Sequence, residues 1–229
     1  MPGIGSCGGP SGSSRGGSRG QARCRALLDA ASALFVEKGF ALTSLSDIID
    51  KAGGSRNTLY GHFGGKEGLF RAMLEEHCSR IVDELADVQT TSAMNPAEGL
   101  NRFGLHIART FTAPETAAIL RILVSEGGRI PDIAETFFRI GPERTAGRLA
   151  DYLRDLAEVG CLRIDDPDTA AQLFCGMVIG HLLPKRLILP DEPITDAEVE
   201  AIVRQSVSLF LQGTRTARTA SHPPPQRPS

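Results

Sequence analysis

Between Ser55 and His62 the chain sets Ser55, Arg56, Asn57, Thr58, Tyr60 and His62 side by side, interrupted only by Leu59 and Gly61. Each of the six carries a hydrogen-bond donor. Arg56 has the fork that matches guanine O6 and N7, and Asn57 the amide that matches adenine N6 and N7. Ser44, Ser46 and Lys66 flank the cluster, and Lys66 opens a helix-forming stretch, where backbone N–H groups favour anions. This is the chemistry of recognising a polyanion with readable edges, not of making or breaking bonds. Arg15, Arg19, Arg23 and Arg25 lie further upstream and could add phosphate or minor-groove contacts, although a solvated leader explains them more simply.

Such side chains need a scaffold, and the surrounding sequence spells one. Leu27, Ala30, Ala31, Leu34 and Phe35 recur at helical spacing, with Gly39 as a stop. Leu45, Ile48, Ile49 and Ala52 mark a short second helix, opened by Ser44-x-x-Asp47 in the pattern of a capping box. Gly53-Gly54 breaks it, a third short helix runs over about 56–62, and Gly64-Gly65 breaks again. A long helix follows through Leu69, Phe70, Met73, Leu74, Ile81, Leu85 and Val88. Two short helices around a glycine turn form a helix-turn-helix. Leu45, Ile48, Ile49, Leu59 and Phe63 would pin both to their neighbours and leave the polar face of the second free for a major groove. Gly53, Gly54 and Gly61 would let backbone approach phosphates closely.

The segment resembles the tetracycline-repressor (TetR) family of regulators. The shared pattern is Thr43, Ile48, Ala52-Gly53, Ser55, Leu59-Tyr60, Phe63 and Lys66, followed by Glu67 and Leu69-Phe70. Ile49, Gly54, Asn57 and Gly61 depart from it. The likeness is strong over residues 21–75. It continues over 115–183 through Ile122-Leu-Val-Ser-Glu126, Phe137-Phe138, Gly141-Pro142 and the turn at Gly160. The resemblance implies phosphate contacts from Ser44, Ser46, Tyr60, His62 and Lys66, and base-edge contacts from Ser55, Arg56, Asn57 and Thr58. It also implies a homodimer on a palindromic double-stranded operator, with a small-molecule effector of unknown identity releasing a repressor.

The rest of the 229 residues are consistent with that outline. With 41% apolar and 23% charged residues the chain can bury a core. Helical segments are expected at about 97–111, 115–127, 131–140, 142–159, 167–183 and 195–212, with no strand pattern. The expected fold is all-α: a three-helix N-terminal head joined by a long helix to a larger helical dimerisation and ligand-binding domain. Its divisions are a Gly/Ser/Arg-rich disordered leader at 1–20, the head at 21–66, the larger domain at 67–212 and a disordered tail at 213–229. Residues 1–71 carry nine Lys/Arg against five Asp/Glu, and the remainder sixteen against twenty-two. That gives a basic head on an acidic body. No apolar run suits a membrane span and no secretory h-region is present, so the cytoplasm, at the nucleoid, is the expected location. Cys7, Cys24, Cys78, Cys161 and Cys175 are odd in number and lack C-x-x-C spacing, which points away from a disulfide framework or a metal site.

A single reading helix covers few base pairs, so useful specificity requires two half-sites and hence a dimer. The dimer face is expected on the last two long helices. It would use Ala170, Ala171, Phe174, Met177, Val178 and His181 on one, and Ile202, Val203, Val207 and Phe210 on the other. Phe103, His106, Phe137, Phe138, Tyr152 and Met177 are the candidates to line an effector pocket, with Phe111 nearby. No hydrolase, zincin, Walker or dinucleotide motif occurs, and neither catalysis nor a cofactor is expected. The alternative is a helical adaptor that uses the same exposed helix for a protein partner. Steep salt dependence would separate DNA binding from such a contact.

Overall fold

The computed structural model describes residues 16–87 and 95–214. Expectations placed on residues 1–15, 88–94 and 215–229, including Cys7 and Arg15, lie outside these. Among the described residues there are eleven α-helices and no strand. They are α1 (Gly16–Lys38), α2 (Leu45–Ala52), α3 (Arg56–Phe63), α4 (Lys66–Asp87), α5 (Pro96–Thr112), α6 (Pro114–Glu126), α7 (Ile133–Ile140), α8 (Pro142–Glu158), α9 (Pro167–Ile179), α10 (Leu182–Ile188) and α11 (Asp196–Thr214). None is long and apolar enough to cross a membrane.

The chain forms two compact units, Met1–Val82 with Ala113–Pro142 and Asp83–Thr112 with Glu143–Ser229. In the first, the α1 stripe of Leu27, Ala30, Ala31, Leu34 and Phe35 is buried against Ile48 of α2, Leu59 of α3 and Leu69, Phe70, Met73, Leu74 and Cys78 of α4. Ile119 and Ile122 of α6, Ile130 of the turn after it and Ile133 at the start of α7 belong to the same cluster. Phe35, Phe40 and Phe70 form its aromatic centre, with ring centroids 5.1, 5.5 and 6.2 Å apart. The boundary drawn from sequence after Lys66 thus differs from the structural division, because the first turns of α4 bury their apolar side in the head's own core. α1 also opens at Gly16, inside the segment read as an unstructured leader. Once the Leu27–Phe35 stripe anchors a helix, extending it costs far less than nucleating it.

The second unit packs α5, α8, α9, α10 and α11 around Leu100, Phe103, Ile107, Leu149, Tyr152, Leu153, Phe174, Val178, Val203 and Phe210. A Cβ at Gly104 would lie 2.8 Å from Val203 Cγ1, so α5 and α11 approach as closely as they do only because residue 104 is glycine. The helix expected over 167–183 is two helices. α9 ends at Ile179, and α10 opens at Leu182 with Pro184 in its first turn. Pro184 has no N–H to give to Gly180 O, which weakens a continuous helix at the point where α9 ends. Asp166 caps α9 by accepting from Thr169 N at 3.0 Å. Lys185 of α10 is tied to Glu198 of α11 at 2.9 Å in a half-buried ion pair.

The face assigned from sequence to the dimer is mostly this core. Ala171, Phe174, Val178, Val203, Val207 and Phe210 are buried within the protomer, whereas Met177 and His181 are exposed. Helical periodicity marks which side is apolar but does not say which body covers it. The outward apolar residues are instead Leu173, Met177 and Leu209. Among the thiols, Cys24 and Cys78 are buried, Cys175 is half-buried and Cys161 is exposed. Burial pushes Cys78 up to about 11 and Cys175 up to about 12, which leaves both as inert thiols.

Candidate nucleic-acid interface

α2 and α3 have eight residues each, too few to persist alone in water. Two features hold them. Ile48 and Leu59 are fully buried, each anchoring one helix to the head's core. The N-termini are closed by side chains: Ser44 Oγ accepts from Asp47 N at 3.1 Å, while Asp47 Oδ2 accepts from Ser44 N at 2.9 Å. At α3, Ser55 Oγ accepts from Thr58 N at 3.2 Å and lies 3.0 Å from the Thr58 hydroxyl. Gly53 (φ 68°) turns the chain between the helices, and Gly64 (φ 72°) closes α3 with its N–H on Tyr60 O at 3.0 Å. Both are conformations that disfavour a side chain.

This places the polar face of α3 in water. Arg56, Asn57, Tyr60, Gly61 and His62 are exposed, Tyr60 to 54%, while Thr58 is half-buried beside its cap. Nothing stands within 4 Å of where a Cβ at Gly61 would be, so this stretch of helix is open. Arg56 does more than project outward. Its Nη2 donates to Ser46 Oγ at 3.0 Å, bridging α3 to α2 across the turn. Ser46 is half-buried and Ser44 exposed. The bridge leaves most of the guanidinium donors available, and it fixes the direction in which they point. The sequence reading missed it because residues ten apart carry no periodic signal.

Lys66 lies differently from its neighbours. Its Nζ donates to Phe40 O at 2.8 Å and Thr43 O at 3.0 Å, and stands 4.4 Å above the centre of the Phe40 ring. Thr43 is itself buried and donates its hydroxyl to Gly39 O at 2.8 Å. Of the upstream arginines, Arg23 is exposed, and Arg25 is held by Asp29 at 2.9 Å and by Glu76.

The six candidates for an effector pocket are not brought together. Phe103 and Tyr152 are buried in the second unit, and His106 is half-buried on α5. Met177 faces solvent on α9. Phe137 and Phe138 belong to the first unit, where Phe137 packs on the core and Phe138 is exposed. None of the six lines the cleft of about 420 Å³ between α1 and α4, nor the one of about 700 Å³ between α5 and α11. Two atoms stand out nonetheless. His106 Nε2 and Tyr152 Oη are sealed from solvent without a hydrogen-bond partner. The Tyr152 hydroxyl lies only 2.2 Å from where a Cβ at Gly99 would be, so a bare stretch of α5 backbone makes room for it. Burial, then the nearby Cys161 and Glu98, push its ionisation upward, and it remains a neutral phenol.

Residues 27–73 match the tetR family of bacterial regulatory proteins, and residues 98–213, half of the chain, match the C-terminal domain of AefR-like transcriptional repressors. The chain belongs to the TetR family. It is similar to the HTH-type regulator YvkB of Bacillus subtilis, with 28% identity over 82% of this chain and 94% of that one. A crystal structure of a TetR-family regulator from Mesorhizobium loti superposes with a TM-score of 0.80 at 26% identity, covering 86% of this chain and 99% of the other. The flavonoid-responsive regulator FrrA is 31% identical with a TM-score of 0.69, covering 85% and 98%. As a TetR-family member the protein is a DNA-binding transcriptional regulator. Regulators of this family bind operators and act as homodimers.

Proposed function

We propose that the protein is a homodimeric repressor, released from a palindromic operator by a small, mostly apolar effector that bears oxygen groups. The observation that carries the effector reading is the pair of unmatched polar atoms in the second unit, His106 Nε2 and Tyr152 Oη. A buried polar group without a partner costs about 1–3 kcal/mol. A second-unit core that retains two of them supports a guest that supplies the missing bonds. FrrA's responsiveness to flavonoids supports an oxygen-bearing aromatic as the first class to try.

On the DNA side, Arg56 and Asn57 read base edges. Ser44, Ser46, Ser55, Thr58, Tyr60 and His62 hold the phosphates and the caps around them. The second copy docks through Leu173, Gly176 and Met177 of α9 and the Gly180 that follows it, with Leu209 of α11, an exposed face of small and apolar residues bordered by Gln205. Effector binding then favours a conformer whose two α3 helices no longer match the half-site spacing.

The test begins with operator DNA recovered from genomic fragments by the purified protein. A panel of flavonoids and simple phenols is titrated into the complex while fluorescence anisotropy is followed. Release by at least one compound, together with a raised melting temperature of the free protein, is the expected result. Binding of every compound without release, or no binding at all, would overturn the reading.

A further inference from the structure

We propose that Lys66 is a positioning residue: a strut that ties the first residue of α4 to the α1–α2 turn and so sets where α2 meets DNA. This replaces the role of phosphate ligand that the motif implies. An ammonium has three donors, and two are spent on Phe40 O and Thr43 O at 2.8 and 3.0 Å. The group is also seated on the Phe40 ring at 4.4 Å. Electrostatics favours this direction. A cation at a helix N-terminus is repelled by the orphan N–H groups of its own first turn. The C-terminal end of α1, which closes at Lys38 two residues before Phe40, carries the opposite partial charge and favours a cation nearby.

The turn itself is closed around the strut. Phe40 O also accepts from Thr43 N at 3.3 Å, and the buried Thr43 hydroxyl is bonded to Gly39 O at 2.8 Å. The residue after Thr43 is Ser44, which caps α2 and leads into the helix that carries Ser46, the partner of Arg56. One lysine therefore fixes, through the backbone of the turn, the origin of α2 and through it the bridge to α3. With two donors on carbonyls and one side seated on an aromatic face, Nζ keeps a single donor to offer a phosphate. The proposal rests on the protein being a DNA-binding regulator, but not on its being released by an effector.

The first test needs no variant. In protein labelled at the lysine side chains, the Lys66 ammonium signal is expected to couple across its hydrogen bonds to the Phe40 and Thr43 carbonyl carbons. It is expected to keep those couplings when a mixed-sequence 30-base-pair duplex is added to saturation. Loss of these couplings, or a new coupling to phosphorus, overturns the proposal. The second test uses Lys66→Met, which keeps the stem and removes the donors. The variant is expected to bind the same duplex about tenfold more weakly at every salt concentration, as for the loss of one or two hydrogen bonds. Exchange of the Thr43 amide in the free protein is expected to quicken about tenfold. A phosphate ligand predicts otherwise: the slope of log affinity against log salt would shrink by about 0.9 per subunit, about 1.8 for the dimer. That shrinkage, or an unchanged Thr43 amide, also sinks the strut.

Discussion

At the scale of single residues, the reading surface is a division of labour between groups that point outward and groups that aim them. Tyr60 is exposed and makes no internal bond that holds it. Tyr60→Ala is therefore expected to weaken operator binding by about tenfold or more, as for a lost bond to a charged oxygen. The dimer, measured by sedimentation, should be unaffected. On the proposed reading Arg56 does both tasks, so Arg56→Lys separates them. The lysine keeps a charge but loses the planar fork that can hold Ser46 and a base edge together. Discrimination between operator and mixed DNA is expected to fall more than affinity for mixed DNA. In competition anisotropy, equal losses for both would show that Arg56 is only a phosphate contact. Tyr152 offers the opposite kind of test. Its hydroxyl is buried without a partner, so Tyr152→Phe is expected to leave thermal stability unchanged or raised while blunting the effector response. A marked loss of stability would mean the hydroxyl is already satisfied.

At the scale of elements, α2 and α3 exist by virtue of their caps and one buried anchor each. Leu59→Ala is expected to cost about 2–5 kcal/mol of head stability, and Ser55→Ala about 0.5–2 kcal/mol, both readable by denaturant titration. Acid sensitivity belongs to the caps. Hydrogen bonds from the Ser44 backbone and side chain hold the Asp47 carboxyl below its ordinary value, and Thr169 does the same for Asp166. A depressed carboxylate stabilises the fold fully above its unfolded value and stops doing so as pH falls through its folded one. The melting-temperature gap between wild type and Asp47→Asn is therefore expected to hold above the ordinary aspartate value of about 4 and to shrink as pH falls below it. A gap that widens on acidification would contradict the capping box. Pro184 marked where a helix over 167–183 had to stop, but not the earlier break at Gly180-His181.

For the whole molecule, regulation requires two reading heads at a fixed separation, so the dimer face carries as much of the function as α3. Leu173→Arg or Leu209→Arg, each placing charge on an exposed apolar side chain, is expected to yield monomers that keep their helicity. Those monomers should lose operator affinity by the large factor that a lost half-site implies. Dimers that survive both substitutions would move the interface elsewhere. α9 and α11 are apolar on more than one side: one side fills the protomer's core through Phe174, Val203 and Phe210, and another exposes Leu173, Met177 and Leu209.

Helix positions, the capping box at Ser44, the glycine stops and the donor-rich face of residues 55–62 were legible along the chain. They arise from interactions a few residues apart, which spacing and residue type report directly. The family and the regulator assignment followed from the same local pattern. Tertiary structure alone decided what the helices do with each other. It turned Lys66 inward onto Phe40 and Thr43 and bridged Arg56 to Ser46. It also buried Phe174 and Val203 where a dimer face had been expected, and left His106 and Tyr152 sealed without partners. Each of these joins residues from separate helices, or depends on which body covers an apolar side. Periodicity cannot carry that information, because a buried stripe looks the same whether its own chain or a second copy covers it.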